Sequence, residues 1–340
     1  MHLLGAHMSI GGGYYRAVEA AKAVGCDCVQ LFTKNNNQWK AKPITDEEAT
    51  KFQASLAELG VRAPLSHTSY LINLASPNPS LLQQSIEAMV VELQRAAQLG
   101  IPFVVLHPGS FTTSSEAEGL ATVASSLDEV FRQTNDLPTV CLLENTAGQG
   151  NHLGWRFEHL DEIISRCKVP KRLGVCIDTC HTFAAGYPLS DSADYRRTMD
   201  ELDRVVGFSR VKAVHLNDSK MPFGSRKDRH EHIGRGEMGL KPFWNLLHDP
   251  RFAKIPMYLE TEKGTEDGED LDAMNLRVLR LLIDKKMPVE STAVAKSKSV
   301  PQSLPAAKRK PAASKSKASP TKGGKNPLRS TVARKRARKR

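Results

Sequence analysis

The chain has 340 residues, 40% of them hydrophobic and 6% aromatic, and a formal net charge of +11. No stretch approaches the roughly 18 apolar residues needed to span a bilayer, and the N-terminal MHLLGAHMSIGGG has neither a basic leader region nor a long apolar core, so neither a membrane span nor a signal peptide is expected. Residues 291–340 hold 16 of the 48 Lys and Arg and none of the 37 Asp and Glu, so this tail is +16 and the remainder −5. The six cysteines, Cys26, Cys28, Cys141, Cys167, Cys176 and Cys180, form no CxxC pair. They are expected to be reduced, buried thiols, as in a cytosolic or nuclear protein, although Cys180 next to His181 has a place from which to face a site.

Apolar runs and helix-like runs then alternate along the chain. HLLGAH leads into GYYRAVEAAKAVG, with apolar residues at helical spacing and a Gly stop. CVQLFT precedes TDEEATKFQASLAELG, which opens with Thr45 as a cap and with acids in its first turn. APLSH, FVVLH, TVCLLE, LGVCID, VKAVHL and IPMYLE each precede a further helical pattern. Short, continuous apolar strands suit a parallel sheet buried on both faces. Eight βα units in about 285 residues predict a (βα)₈ TIM barrel over 1–285, with a doubly wound open sheet as the structural alternative. Residues 286–340, rich in Lys, Arg, Ala, Ser and Pro, are expected to be disordered, because they offer too little apolar surface to offset ordering.

Six metal-capable side chains end successive strand-like runs: His67, His107, Glu144, Asp178, His215 and Glu260, separated by 40, 37, 34, 37 and 45 residues. His181 follows Asp178 by three positions, and Asp228 and His230 follow His215 in a polar stretch. In TIM barrels the strand C-terminal ends form the working face, and all nine candidates fall there. A lone His at a strand end is usually structural; nine donors at one rim reverse that expectation. Five His and four carboxylates suit zinc, with manganese or iron compatible on ligand type. Nine residues serve two or three metals if one carboxylate bridges. Clustered divalent ions are the usual solution for phosphoryl transfer, which points to a metallohydrolase. Asn73, Asn145, Asn217 and Ser219 lie beside the candidates as supporting or turn residues, and His7 has the parity to face the same cavity.

The strings GAHMSIGGG, LFTKNNNQW, HTSYLINLASP, LHPGS, LLENTAGQG, CIDTCHTFAAGY, HLNDSK and GSRKDRHEHIG resemble, in order and over roughly residues 2–285, the endonuclease IV family of apurinic/apyrimidinic (AP) endonucleases. The resemblance implies three zinc ions per chain: one on His67, His107 and Glu144, which bridges; a second completed by Asp178, His215 and Glu260; a third on His181, Asp228 and His230. It implies Glu144 and Glu260 as catalytic residues, a hydroxide oriented by Glu260, and hydrolysis 5′ to an abasic site that leaves a 3′-hydroxyl and a 5′-deoxyribose phosphate. Tyr70 and Leu71 match wedge positions that enter damaged duplex DNA, and Gln38 and Trp39 match the loop after the second strand. Asn37 stands where the family is expected to carry an Arg.

The resemblance does not reach the tail. Sixteen positive charges are expected to bind nucleic-acid backbone, and the terminal ARKRARKR also fits a nuclear import signal. The expected protein is a monomer, cytoplasmic and nucleoid-associated in a bacterium or nuclear in a eukaryote. Two alternatives remain open at this point. A metal-dependent sugar isomerase or epimerase uses a related barrel, and a damaged-DNA binder would keep the metals as structural parts.

Overall fold

The computed structural model describes residues 2–285. The barrel strands are β1 (Leu4–Met8), β2 (Cys28–Phe32), β3 (Arg62–His67), β4 (Phe103–Leu106), β5 (Val140–Glu144), β6 (Leu173–Asp178), β7 (Val211–His215) and β10 (Met257–Leu259). They close in the order β1-β10-β7-β6-β5-β4-β3-β2, every pair parallel. Around them run α1 (Tyr14–Ala23), α2 (Asp46–Leu59), α3 (Pro79–Leu99), α4 (Glu116–Gln133), α5 (Phe157–Arg166), α7 (Ser192–Val205), α8 (Lys241–Leu247) and α9 (Leu271–Asp284). The expected closed barrel is therefore present, and the open sheet is excluded. The expectations for 286–340 lie outside the described residues. Among the described residues no helix is long and apolar enough to cross a membrane.

Local chemistry explains the helix boundaries. Thr45 caps α2 in a reciprocal capping box with Glu48, Ser115 does the same with Glu118 for α4, and Asn78 caps α3 ahead of Pro79. Gly60 and Gly100 end α2 and α3 in the left-handed conformation.

Three small elements were not anticipated. A short helix, α6 (Thr179–Ala185), follows β6 at once. The polar stretch after β7 contains an antiparallel pair, β8 (Asp218–Ser219) with β9 (His230–Glu231). A second pair, β11 (Thr265–Glu266) with β12 (Glu269–Asp270), precedes α9. Each is too short to leave a periodic signal.

The barrel interior has its own apolar cluster: Cys28, Leu65, Val105, Leu142, Cys176, Ala213 and Tyr258, all buried. The larger cluster fills the layer between strands and helices. Side chains alternate along a strand, so the residue two positions after an interior residue also points inward. That rule carries Leu65 to His67, Val105 to His107, Leu142 to Glu144, Cys176 to Asp178, Ala213 to His215 and Tyr258 to Glu260. The core layer thus sets the parity of the whole rim, and a one-residue slip in any strand would turn its donor outward.

Closure between β1 and β2 needs a glycine. A Cβ on Gly5 would lie 2.0 Å from the Cys28 carbonyl oxygen, a backbone atom that cannot step aside. Gly5→Ala is expected to cost about 1–3 kcal/mol or more through overpacking, read as a lower denaturant midpoint with an unchanged slope. An unchanged midpoint would contradict this account of closure.

Candidate metal centre

All nine predicted donors meet at the C-terminal end of the barrel. Glu144 lies at their centre with no exposed surface. Its Oε2 is 3.1 Å from His67 Nε2 and 3.1 Å from His107 Nε2. Its Oε1 is 3.0 Å from His215 Nδ1 and 3.2 Å from His181 Nδ1. One carboxylate therefore divides its two oxygens between two sets of imidazoles. Glu260 Oε2 approaches His215 Nδ1 at 3.2 Å. On the far side His230 Nε2 is 3.6 Å from Asp178 Oδ2, and Asp228 lies 3.2 Å from both His181 Nε2 and His230 Nε2.

Three groups have donor atoms within 4.8 Å of one another: His67, His107 and Glu144; Glu144, Asp178, His215 and Glu260; and Asp178, His181 and His230. The first two coincide with the sets the family resemblance implies. In the third, Asp178 joins the two histidines, and Asp228 stands beside them with a side chain 41% exposed.

The fold fixes tautomers from behind. A carbonyl oxygen only accepts, so a ring nitrogen facing one must carry the hydrogen. His67 Nδ1 donates to Thr68 O (2.8 Å), His181 Nδ1 to Asn145 O (2.9 Å) and His230 Nδ1 to Glu260 O (3.2 Å), which leaves each Nε2 for the site. His215 is reversed: its Nε2 donates to Gln30 Oε1 at 2.7 Å and Nδ1 faces the carboxylates. Such a backing bond is what orients a histidine that binds metal.

The carboxylates are held in turn. Asp178 caps α6 by accepting the His181 amide at 2.7 Å, which explains the three-residue spacing of these two donors. Asn217 Nδ2 donates to Asp178 Oδ2 (2.6 Å), and Asn217 Oδ1 accepts the Glu260 amide (2.8 Å). Asn145 Oδ1 accepts the Asp178 amide at 2.7 Å. Both asparagines therefore support donors, whereas Asn73 ties its loop to Ser110 in the loop after β4 and Ser219 makes a local turn bond to Met221. Asp228 sits in a loop docked on α6 through Gly224 and Arg226 amides, with the Arg226 guanidinium 3.6 Å over Trp155.

His7 does face this cavity, 4.0 Å from Glu260 and 3.0 Å from Gln30 Nε2. Burial depresses its pKa to about 3, so it is neutral. Gln30 went unnoticed in the sequence. The available signal was a polar residue inside the apolar run CVQLF, at the parity of the core residue Cys28. The six cysteines are free and buried, and Cys180 donates toward the carbonyl of Arg229, the residue between Asp228 and His230.

Burial works against charge on Glu144 and Glu260, but the neighbouring imidazoles outweigh it. Glu144 is held well below the usual carboxylate range by His215 and His107, and Glu260 at about 2 by His215. Burial likewise opposes protonation of His67, His181 and His215, yet Glu144, Asp178 with Asp228, and Glu260 with Glu144 raise their proton affinities above the ordinary 6.5. Without metal, charge on Glu144 and Glu260 and protons on His67, His181 and His215 thus support one another. A dication replaces those protons, and the donor set fits it: borderline nitrogen and hard oxygen ligands at one buried point.

The four residues expected to meet DNA lie on two adjoining loops. Tyr70 is 60% exposed at the lip of a cleft of about 400 Å³ that also takes in His107, His181, Asp228, His230 and Glu260. Its ring is 5.4 Å from that of His67. Leu71 beside it is half-buried, and Asn37 and Gln38 are exposed on the loop after β2. Ser69 Oγ donates to Asn36 O at 2.5 Å, which ties the two loops together.

Fold and rim define the class: a (βα)₈ barrel enzyme with a candidate metal centre at its strand ends. Residues 18–282 match the family described as xylose isomerase-like TIM barrel. The chain is 48% identical over 284 residues to a probable endonuclease 4 of Geobacter sp. strain M21, covering 84% of this chain and 100% of that one. It matches the crystal structure of endonuclease IV from Thermus thermophilus with a TM-score of 0.73 and 36% identity, over 83% of this chain and 99% of that one. A D-tagatose 3-epimerase-like protein aligns with a TM-score of 0.64 at 19% identity, over 83% and 97% of the two chains, which shows the fold alone. The chain belongs to the endonuclease IV family, DNA-cleaving hydrolases built on this barrel.

Metal uptake should weaken as pH falls, and the decline should begin above pH 6.5, because the raised imidazoles of the metal-free protein hold their protons where free imidazole has lost them. Each proton displaced lowers apparent affinity about tenfold per pH unit. Zinc competition with a chelator of known proton affinity, between pH 6 and 8, checks this; pH-independent affinity would contradict it.

Proposed function

We propose that this chain is a zinc-dependent AP endonuclease of base-excision repair. It hydrolyses the phosphodiester 5′ to an abasic site in duplex DNA and leaves a 3′-hydroxyl and a 5′-deoxyribose phosphate. The same cleft serves to remove groups that block a 3′ end. The observation that supports this reading best is the divided Glu144 carboxylate, which sets two donor groups side by side with a third next to them. His67, His107 and Glu144 would hold one zinc; Glu144, Asp178, His215 and Glu260 a second; His181, Asp228 and His230 a third, with Asp178 in reach. Bound there, closely spaced dications supply a nucleophile at neutral pH and stabilise the entering and leaving oxygens.

The chain's own residues do the rest. Glu260, ionised and on the cleft, aligns the attacking water. Asp228 and His230 line the same cleft and serve the leaving oxygen. Tyr70, with Leu71 behind it, fills the gap beside the extruded sugar, and an abasic nucleotide has no pairing to lose when it leaves the stack. Asn37 and Gln38 meet the backbone from the neighbouring loop. The protein acts as a monomer. The basic segment 286–340 adds non-specific backbone binding; contact with six phosphates would give a log–log salt slope near −5. A metal-dependent sugar isomerase or epimerase is disfavoured by the five histidines, which exceed what an oxygen-liganded sugar site uses.

The test is cleavage of a labelled duplex carrying one abasic analogue, with metal counted on the same sample. A single cut 5′ to the site, about three zinc ions per chain, and a loss of at least about 100-fold in Glu144→Ala are expected. Full loading with no cut on abasic or 3′-blocked duplexes would overturn the reading. A further variant probes the departure in the β2 loop. Asn37→Arg should tighten binding to abasic duplex and steepen the salt slope by about 0.9, one added phosphate contact; unchanged slope and affinity would remove Asn37 from the interface.

A further inference from the structure

Gln30 is a fully buried polar residue within β2. It lies opposite His7 in the β1–β2 register, one step above the core residue Cys28. A primary amide here must satisfy both of its ends inside the protein. It does so on three partners. Oε1 is 2.7 Å from His215 Nε2, and Nε2 is 2.6 Å from Glu260 Oε1 and 3.0 Å from His7 Nδ1.

These partners leave one arrangement of hydrogens. An ionised carboxylate only accepts, so the amide nitrogen faces Glu260 and the carbonyl faces His215. His215 must then carry a hydrogen on Nε2, which makes Nδ1, beside Glu144 and Glu260, the nitrogen open to a metal. The second amide hydrogen points at His7 Nδ1, which accepts it. A flipped amide would set oxygen against the Glu260 carboxylate, and amide hydrogens against the His215 N–H. Glu260 and His7 thus act together as a lock on the Gln30 rotamer.

We propose that Gln30 is a positioning residue for the group Glu144, Asp178, His215 and Glu260, fixing the His215 tautomer and the Glu260 orientation through one amide, with His7 as the backstop. This rests on the reading of that group as a metal site. His215 and Glu260 come from β7 and the end of β10, and Gln30 reaches both from β2. Its contribution is local to one group, because His67, His181 and His230 take their backing bonds from main-chain carbonyls instead.

The test uses the full-length chain loaded with zinc or, for absorption, cobalt(II). Gln30→Met keeps the volume and removes all three bonds. Gln30→Glu keeps the acceptor for His215 but sets a carboxylate against Glu260, so it serves as a second variant if the first folds poorly. Both variants should release one ion to a chelator about 10–100-fold more readily than the parent. The remaining ions should be released as in the parent, and the visible cobalt spectrum should lose or shift one component. A thermal melt of the metal-free proteins reports stability separately. Parent-like release and spectra in both variants would overturn the proposal. So would weakening of every ion in step with a fall in Tm, which is what a merely structural role predicts. A parent that takes up metal yet cuts no DNA would sink the functional reading alone, since neither metal readout depends on cleavage.

Discussion

A buried carboxylate surrounded by four imidazoles is the arrangement on which the rest of the molecule depends. Glu144 has no exposed surface, and its partners arrive from β3, the end of β4, α6 and β7. Taking such a charge out of water is costly unless it is paired and hydrogen-bonded. Here each oxygen has two partners, so the cost is offset only when the strands close in register. Barrel closure and assembly of the centre are therefore the same event seen at two heights, apolar below and ionic above.

The strand alternation makes that coupling legible in the sequence. Six of the nine candidate donors follow an apolar residue of the inner core by two positions, so the runs that reveal a strand also reveal which way its last residue points. All eight barrel strands and the six candidate donors at their ends could be read in this way. Parts that depend on contacts across the fold could not. The seven-residue helix α6 is set by Asp178 capping it, not by periodicity. The β8–β9 pair that carries His230 is two residues wide. Gln30 looks like a lapse in an apolar strand until His215 and Glu260 are placed around it. The pairing of β2 with β3 shifts register between Cys28 and Gln30, and Ala63 lies there with a φ of 44°, which no local pattern announces.

The barrel alone does not distinguish a nuclease from an epimerase, as the likeness to a tagatose epimerase-like protein at 19% identity shows. What differs is the rim. Five histidines, four of them with backed tautomers, an exposed tyrosine at the cleft lip and two tied loops form a surface suited to a phosphodiester in a duplex. Asn37 is the point where this chain departs from what its family resemblance leads one to expect.

The central claim is that the strand ends gather a compact cluster of ions about Glu144. Anomalous diffraction at the zinc edge, on crystals of the protein grown with zinc, tests it most directly. Three peaks within bonding distance of the nine donors, two of them flanking the Glu144 carboxylate, are predicted. A single peak, or peaks that leave Glu144 without a metal neighbour, would contradict the account.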